Sequence, residues 1–390
     1  MIKVKTVILL LFIAISQQDN RFTKTIEKLK QMCKIIPKEE AIILKDIDPK
    51  KDLVKYNKSM DDKDEYFPIA KGGYGFIYIN YKTKKVKKIA KQKRLEKSSS
   101  LRTLTNEIEL GKDLTKMGHP MLIRDCELIL NNTGNKVEYL AMLMDYKRGR
   151  DLKKHIESKK REYSKDDCEQ EISFAIVILK QLKSMHESGM MHRDIKPANI
   201  YLEQDDEGFY DKLWIIDFGF ASYKETDKVF KGTDSHVAPE VIQRIQYDKR
   251  IDAYSTGMSL MDLFEYYLLE DAVDSACNNT SLFLILNQML QYYYKPDNCN
   301  EFDSTNVVFE NKCRLTISQA LDLLKDFSRY HFDEEEVENP NNKEFFENNN
   351  QRIDLEVFEN NDFFSWLYLI DLGEVGKRLS ENGFFSYTSE

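Results

Sequence analysis

The segment HRDIKPAN, residues 192–199, sets one carboxylate, Asp194, beside an arginine and two residues before a lysine, Lys196, and ends on an amide, Asn199. A carboxylate among cations keeps its charge at neutral pH and can take a proton from a hydroxyl. An amide oxygen nearby is a ligand for a hard divalent cation. Further on, KLWIIDFGFAS delivers a second carboxylate, Asp217, at the end of an apolar strand-like run, followed by Phe218 and Gly219. Such a group suits Mg2+ carried on a nucleotide's phosphates. Gly72, Gly73 and Gly75 lie between two strand-like runs, where the lack of a Cβ lets the backbone approach a bulky anion. The same glycines would also serve an ordinary hairpin. Lys91, in the next strand, could neutralise that anion, although within a lysine run it also reads as part of a solvated face.

These groups need a scaffold, and the hydrophobic pattern supplies two kinds. From Tyr66 to Tyr146 the chain is mostly strand-like, in YFPIAKGGYGFIYINY, KKVKKIAKQ, CELILNNTG and VEYLAMLMDY. One helical stretch, LRTLTNEIELGKDLTKMG, interrupts it, and the turn elements KGGYG, YKTK and NNTGNK fall between the strands. After KRGRDL the period changes to that of long helices, over 168–189, 252–269, 281–293 and 316–329, with short strand runs around NIYLE and KLWIID. A sheet-rich part and a helix-rich part therefore meet near Asp145 to Asp151.

Charge and composition bound the surroundings. The chain has 390 residues and a formal charge of −8, but residues 333–362 alone hold eleven acids and two bases. The body is thus nearly neutral and gives nucleic acid no electrostatic footprint, despite a local lysine run over 82–97. The acidic stretch has too little apolar content to join a core, while FFSWLYLIDLG beyond it could dock on a partner or on the body. At the other end, MIKVKTVILLLFIAIS has lysines, then an apolar run from Val7 to Ile15, then small residues. Residues 1–16 could act as a secretory signal, which would place the protein in the secretory pathway. They could equally be an apolar segment packed on the body of a cytoplasmic protein, and membrane contact stays open. The six cysteines are widely spread with no C-x-x-C pair, which reads as buried free thiols. Asn57, Asn131, Asn278 and Asn279 each begin an N-x-[ST] sequon in an Asn-rich chain.

Two further segments, GTDSHVAPEV from Gly232 and DAYSTG from Asp252, complete a series. Glycine loop, strand lysine, H-R-D loop, D-F-G and A-P-E stand in the order and near the spacing of eukaryotic protein kinases, which the chain resembles over residues 64–330. Lys196 after the H-R-D-I run and Thr233 before A-P-E resemble the serine/threonine type. The resemblance implies an α+β, two-lobed kinase-like fold. It would have a small antiparallel β lobe with one helix over 64–146 and a large, mainly helical lobe over 151–330. Residues 1–20 would be the apolar segment, 21–63 an N-terminal extension and 331–390 the acidic tail.

The resemblance also implies ATP and Mg2+ as cofactors and protein substrates as partners. By it, Asp194 positions or deprotonates the substrate hydroxyl, Lys196 steadies the transferring phosphoryl group, and Asn199 and Asp217 hold magnesium. Lys91 binds the α- and β-phosphates and is held by Glu107, with Glu109 the alternative. Ala70 replaces the first glycine of a loop that continues through Gly72, Gly73 and Gly75. Met144 backs the adenine pocket, Asp145 and Lys147 contact the base through their backbone, and Asp151 reaches the ribose. Ile77 forms the roof and Tyr201 the floor. Arg314 pairs with Glu240, and Asp252 braces the catalytic loop. The departures are a shortened link between the helices near 269 and 281 and an insertion over 294–313. In the activation segment, the position where the family carries a phosphate acceptor is Val229. Asp227 or Glu225 could reach Arg193 in its place, with Thr226 the competing acceptor. Two rival readings are a nucleotide-binding scaffold without activity and a small-molecule phosphotransferase. The first lacks support because the catalytic set is complete, and the second because of the A-P-E segment with its arginine.

Overall fold

The computed structural model describes residues 20–41, 58–116, 123–159, 167–269, 277, 279–291 and 314–332. The chain divides into two compact units that interleave in sequence. The first comprises Met1–Gly149, Glu203–Asp211 and Ile216–Ala221, and the second comprises Arg150–Leu202, Lys212–Ile215 and Ser222–Glu390. Residues 1–16, the insertion 294–313 and the tail beyond 332 lie outside the described residues.

The first unit is built on a six-stranded sheet in the order β1-β5-β6-β4-β3-β2. Its strands are β1 (Lys34–Ile35), β2 (Phe67–Lys71), β3 (Gly75–Asn80), β4 (Lys85–Ala90), β5 (Asp125–Leu130) and β6 (Val137–Asp145). All pairings are antiparallel except β1 with β5. Helix α1 covers residues 20–32, α2 is Gln92–Leu95 and α3 is Ser98–Lys116. The buried side chains of α3, Leu101, Leu104 and Ile108, recur at helical spacing and pack with Leu128, Leu140 and Met142 of the sheet. Ile26 and Leu29 of α1 join that core. The extension read as lying outside the lobe is therefore partly built into it: it contributes a helix and an edge strand.

The cysteines overturn the expectation of free thiols. Cys33 and Cys126 form a disulfide within the first unit, and Cys168 and Cys277 form one within the second. Cys299 and Cys313 lie outside the described residues.

The second unit is mainly helical: α4 (Leu152–Lys159), α5 (Asp167–Glu187), α6 (Pro239–Ile242), α7 (Arg250–Leu269), α8 (Thr280–Met289) and α9 (Ile317–His331). The interior of α7, from Ile251 to Leu260, is buried at every position, and its Ser255, Thr256 and Ser259 hydroxyls are satisfied by donating to carbonyls one turn earlier. Helix α9 opens on a capping box, Thr316 accepting from the Gln319 N–H while the Gln319 side chain accepts from Thr316. A three-stranded sheet of β7 (Gly149–Asp151), β8 (Ile200–Gln204) and β9 (Tyr210–Ile215) carries the strands next to the H-R-D and D-F-G motifs. No described helix is long and apolar enough to cross a membrane.

Candidate active site

Within the first unit, the lysine that meets the helix carboxylate is Lys88. Its Nζ stands 2.5 Å from Glu107 Oε1, and both side chains are largely buried. The reason is strand parity. Successive residues of β4 face opposite sides, so Val86, Lys88 and Ala90 share the face toward α3, while Lys87 and Ile89 face the other way. Lys87 there pairs with Glu127 at 2.8 Å and lies over the Tyr66 ring. Lys91, assigned the phosphate role from the sequence, falls past the end of β4, in the cap position of α2. Its ammonium donates to the carbonyls of Gly72 and Gly73 and lies over the Phe76 ring, so it clasps the glycine loop and does not reach Glu107. Burial, together with Lys71, Lys93 and Arg94, holds Lys91 below the usual lysine range. Of the two glutamates considered as partners for Lys91, Glu107 meets Lys88 instead and Glu109 pairs with Lys28 of α1 at 2.5 Å.

Asp217 belongs to the same cluster. Burial works to lower Lys88, but the charges of Asp217 and Glu107 outweigh it and hold the ammonium above its ordinary range. Burial pushes Glu107 up to about 7, against the pull of Lys88. Asp217 itself is left-handed, with φ 66° and ψ 67°, a conformation uncommon outside glycine and frequent at functional sites. Helix α3 holds this turn in place. The Asn106 Nδ2 donates to the carbonyls of Phe218, Gly219 and Ala221 at 3.3, 3.2 and 3.0 Å. A Cβ on Gly219 would come within 2.9 Å of Thr103 Cγ2, so the turn packs on the helix only as glycine. Asn106 escaped the sequence reading because an asparagine in a helix ordinarily reads as solvated.

The glycine loop is a tight turn, the Gly72 N–H donating to Gly75 O at 2.9 Å. Only Gly75 is forced by close approach, since a Cβ there would meet Ile89 O at 2.4 Å. Ala70 and Ile77 pair across β2 and β3, and Ile77 stands opposite Lys88 on β4. Met144 packs against both the helix-side core and the Ile79–Tyr81–Val86 cluster. Asp145 accepts from Lys85 at 2.5 Å and Arg124 at 2.8 Å, and Lys147 pairs with Glu203 at 3.0 Å.

Within the second unit, the H-R-D loop is suspended from a buried carboxylate. Asp252 accepts from the backbone N–H groups of His192 and Arg193, each at 2.8 Å, and lies 3.0 Å from His186 Nε2. Burial would raise its pKa, but His186 and these N–H donors hold the carboxyl below its ordinary value. The chain then turns through Arg193 with φ 68° and presents Asp194. Asp194 Oδ2 accepts from Lys196 at 2.8 Å and from Asn199 Nδ2 at 3.0 Å, and Oδ1 accepts from the Thr233 hydroxyl at 2.7 Å. Lys196 also donates to Thr233 at 2.6 Å. The Asn199 amide nitrogen is turned to the Asp194 carbonyl and carboxylate, so its oxygen is the end offered to a cation. Tyr201 lies on β8, half-buried. Asp151 accepts from the Lys154 N–H at 2.9 Å, in the manner of a cap on α4. Arg314 grips Glu240 with two nitrogens at 2.6 and 3.1 Å, and both side chains are buried.

The activation segment is pinned at Asp227. Its carboxylate takes Arg193 Nη1 at 2.8 Å and Lys224 Nζ at 3.2 Å, and accepts from the Lys228 and Val229 N–H groups. The backbone of Asp227 bridges Tyr247 in both directions, and the Tyr247 hydroxyl donates to Val229 O at 2.6 Å. Burial would raise the Asp227 carboxyl, but the N–H donors and Lys224 hold it below its ordinary value. Of the two acids proposed as partners for Arg193, Asp227 makes the contact.

Comparison with known proteins matches residues 68–327 to a model described as the protein kinase domain. Relatives include the ovarian-specific serine/threonine-protein kinase Lok of Drosophila melanogaster, 28% identical over 57% of this chain and 48% of that protein. A probable myosin light chain kinase of Dictyostelium discoideum is 31% identical over 44% of this chain and 41% of that protein. Calcium/calmodulin-dependent protein kinase type 1 of Caenorhabditis elegans is 31% identical over 40% of this chain and 41% of that protein. The chain spans less than half the length of each of these relatives.

Proposed function

The chain belongs to the protein kinase family, and from that premise we propose that it is an active protein serine/threonine kinase, transferring the γ-phosphate of ATP to hydroxyls of protein substrates. The observation that carries the proposal is the arrangement of Asp194, Lys196 and Thr233, in which a buried carboxylate is already hydrogen-bonded to a hydroxyl and an ammonium. Asp194 orients the incoming substrate hydroxyl and receives its proton. Lys196 donates to that carboxylate and brings positive charge to the oxygens of the group in transfer.

Each unit offers groups that suit Mg·ATP. The first has the Asp217 carboxylate and Lys88, fixed by Glu107, as a cation for phosphates, and the second has the hard oxygen of the Asn199 amide. Mg·ATP, when bound, supplies the phosphoryl group and neutralises its charge. The role first given to Lys91 passes to Lys88, and Lys91 becomes a brace for the glycine loop.

Purified full-length protein should label serine or threonine of a generic basic protein from radiolabelled ATP when Mg2+ is present. Asp194→Asn should bind nucleotide while losing at least ~100-fold in rate, the scale of a lost general base. Equal incorporation by the two proteins, or none by either, would leave the scaffold reading in its place.

A further inference from the structure

We propose that this kinase matures in the oxidising lumen of the export route, carrying the disulfides Cys33–Cys126 and Cys168–Cys277 and an N-linked glycan on Asn131. The inference goes beyond phosphotransfer and begins with the cysteines. Four thiols fall into two pairs with Cα separations of 4.7 and 5.7 Å, although the partners are 93 and 109 residues apart in sequence. Both separations lie within the range a disulfide spans. Each unit contains one pair, and all four residues are buried. Stable structural disulfides of this kind belong to oxidising compartments, since cytosolic reductants keep thiols free. Cys33 sits between α1 and β1, so its bond ties the segment preceding the family-matched region to β5 of the sheet.

The second observation is independent of the first. Asn131-Asn132-Thr133 forms the tip of the β5–β6 hairpin, with Asn132 and Thr133 exposed. Asn131 Oδ1 accepts from the Asn135 and Lys136 N–H groups at 3.0 Å, which fixes the side chain by its oxygen. Nδ2 is then presented at the tip, donating to Thr133 Oγ1 at 2.8 Å and to Asn135 Oδ1 at 2.9 Å. One of its two hydrogens can be replaced while the other still donates and the oxygen contacts persist. The Asn279 sequon differs: that residue is buried, and its side chain caps α8 by accepting from Ser281 N–H. Asn57 and Asn278 lie outside the described residues, as do residues 1–16, and neither the cysteine pairs nor the hairpin tip depends on them.

The chemistry balances with two co-reactants of that compartment. Each pair of thiols gives two protons and two electrons to a disulfide-bearing oxidant, which leaves as a dithiol. At Asn131 a bond forms between Nδ2 and the anomeric carbon of a sugar, and the glycosyl–phosphate bond of a lipid-diphosphate donor breaks. Nδ2 releases one proton, and the lipid diphosphate departs.

The test expresses the full chain in a eukaryotic cell, alkylates free thiols under non-reducing denaturing conditions, and maps the peptides with and without an N-glycosidase. The expected result is two linked peptide pairs that separate only on reduction, and a glycan at Asn131 that Thr133→Ala removes. That variant keeps both Asn131 Oδ1 contacts, so its folding is not at issue. Four alkylated thiols, or a bare Asn131, would overturn the proposal. Phosphotransfer assayed on the same preparation reports separately on the kinase reading.

Discussion

Replacing Asp227 with alanine should separate two accounts of how the activation segment is ordered. Arg193 and Asp227 keep only 9% and 8% of their side-chain surface exposed, so the pair has little solvent to fall back on. Removing one partner of a buried pair costs about 3–5 kcal/mol. Lys224, on the same carboxylate oxygen, loses its partner too but is exposed and adds little. The backbone bridge to Tyr247 survives the substitution, which argues for the lower end. A loss of about 3 kcal/mol from the ordered segment shifts its population by roughly 100-fold, and kcat/KM toward a peptide should fall by that order. Asp227→Asn keeps an acceptor without the charge and should lose about half as much free energy, because charge-assisted hydrogen bonds are about twice as strong as neutral ones. The Asp227 pKa lies below the ordinary value of 3.8, so its contribution is complete above that value and lost only as pH falls through the folded pKa. Around neutrality it is therefore constant, whereas a phosphate on Thr226 would titrate near pH ~6. The assay uses protein treated with phosphatase, checked by mass spectrometry and compared with Asp227→Ala and Thr226→Ala. A silent dephosphorylated wild type, or full activity in Asp227→Ala, would refute the reasoning.

Three further outcomes follow from the site and its supports. Lys88→Met should lower kcat/KM by at least ~100-fold while Lys91→Ala changes it by less than about threefold, and steady-state kinetics showing the reverse order would restore the assignment from sequence. Protonation of Glu107, whose pKa burial raises to about 7, removes the charge that holds Lys88; kcat/KM should therefore rise with pH through about 7, a limb absent from Glu107→Gln. The same raised carboxyl makes this group's contribution to stability fall as pH rises between 4.5 and about 7, opposite in sign to the activity limb and readable in thermal melts. Loops closed over 93 and 109 residues are worth about 4.7 kcal/mol each by chain entropy, so a reductant should lower the melting temperature by roughly 10 °C or more.

What could be read from sequence was chemistry written in contiguous residues. Asp194, Lys196 and Asn199 share one loop and meet within 3.0 Å. The Arg314–Glu240 pair also emerged, although 74 residues separate its members, because each belongs to a recognisable segment. Lys88 did not, because three lysines lie within 87–91 and only their parity on a strand ending at Ala90 separates them. A run whose polar and apolar residues do not alternate cleanly conceals which face is which. The cysteine pairs left no local trace at all, since fifteen connectivities are open to six cysteines. Helix α1 did leave one: Ile26, Leu29 and Cys33 recur at three and four residues, a buried stripe in a segment otherwise read as an extension.

The activation segment shows where legibility ends. The kinase resemblance and charge together could narrow the partner of Arg193 to Glu225 or Asp227, both close to the position held by Val229. The choice between them is made by backbone, for the Asp227 N–H and carbonyl both engage Tyr247, and that bridge turns the Asp227 carboxylate into the protein. Tyr247 is buried and lies twenty residues downstream, between α6 and α7, so no local pattern around Asp227 announces it. A carboxylate set in this way supplies Arg193 with one permanent charge where a phosphate would supply about two. Activity that needs no prior phosphorylation would then be a property of the fold, fixed by the same tyrosine that closes the segment.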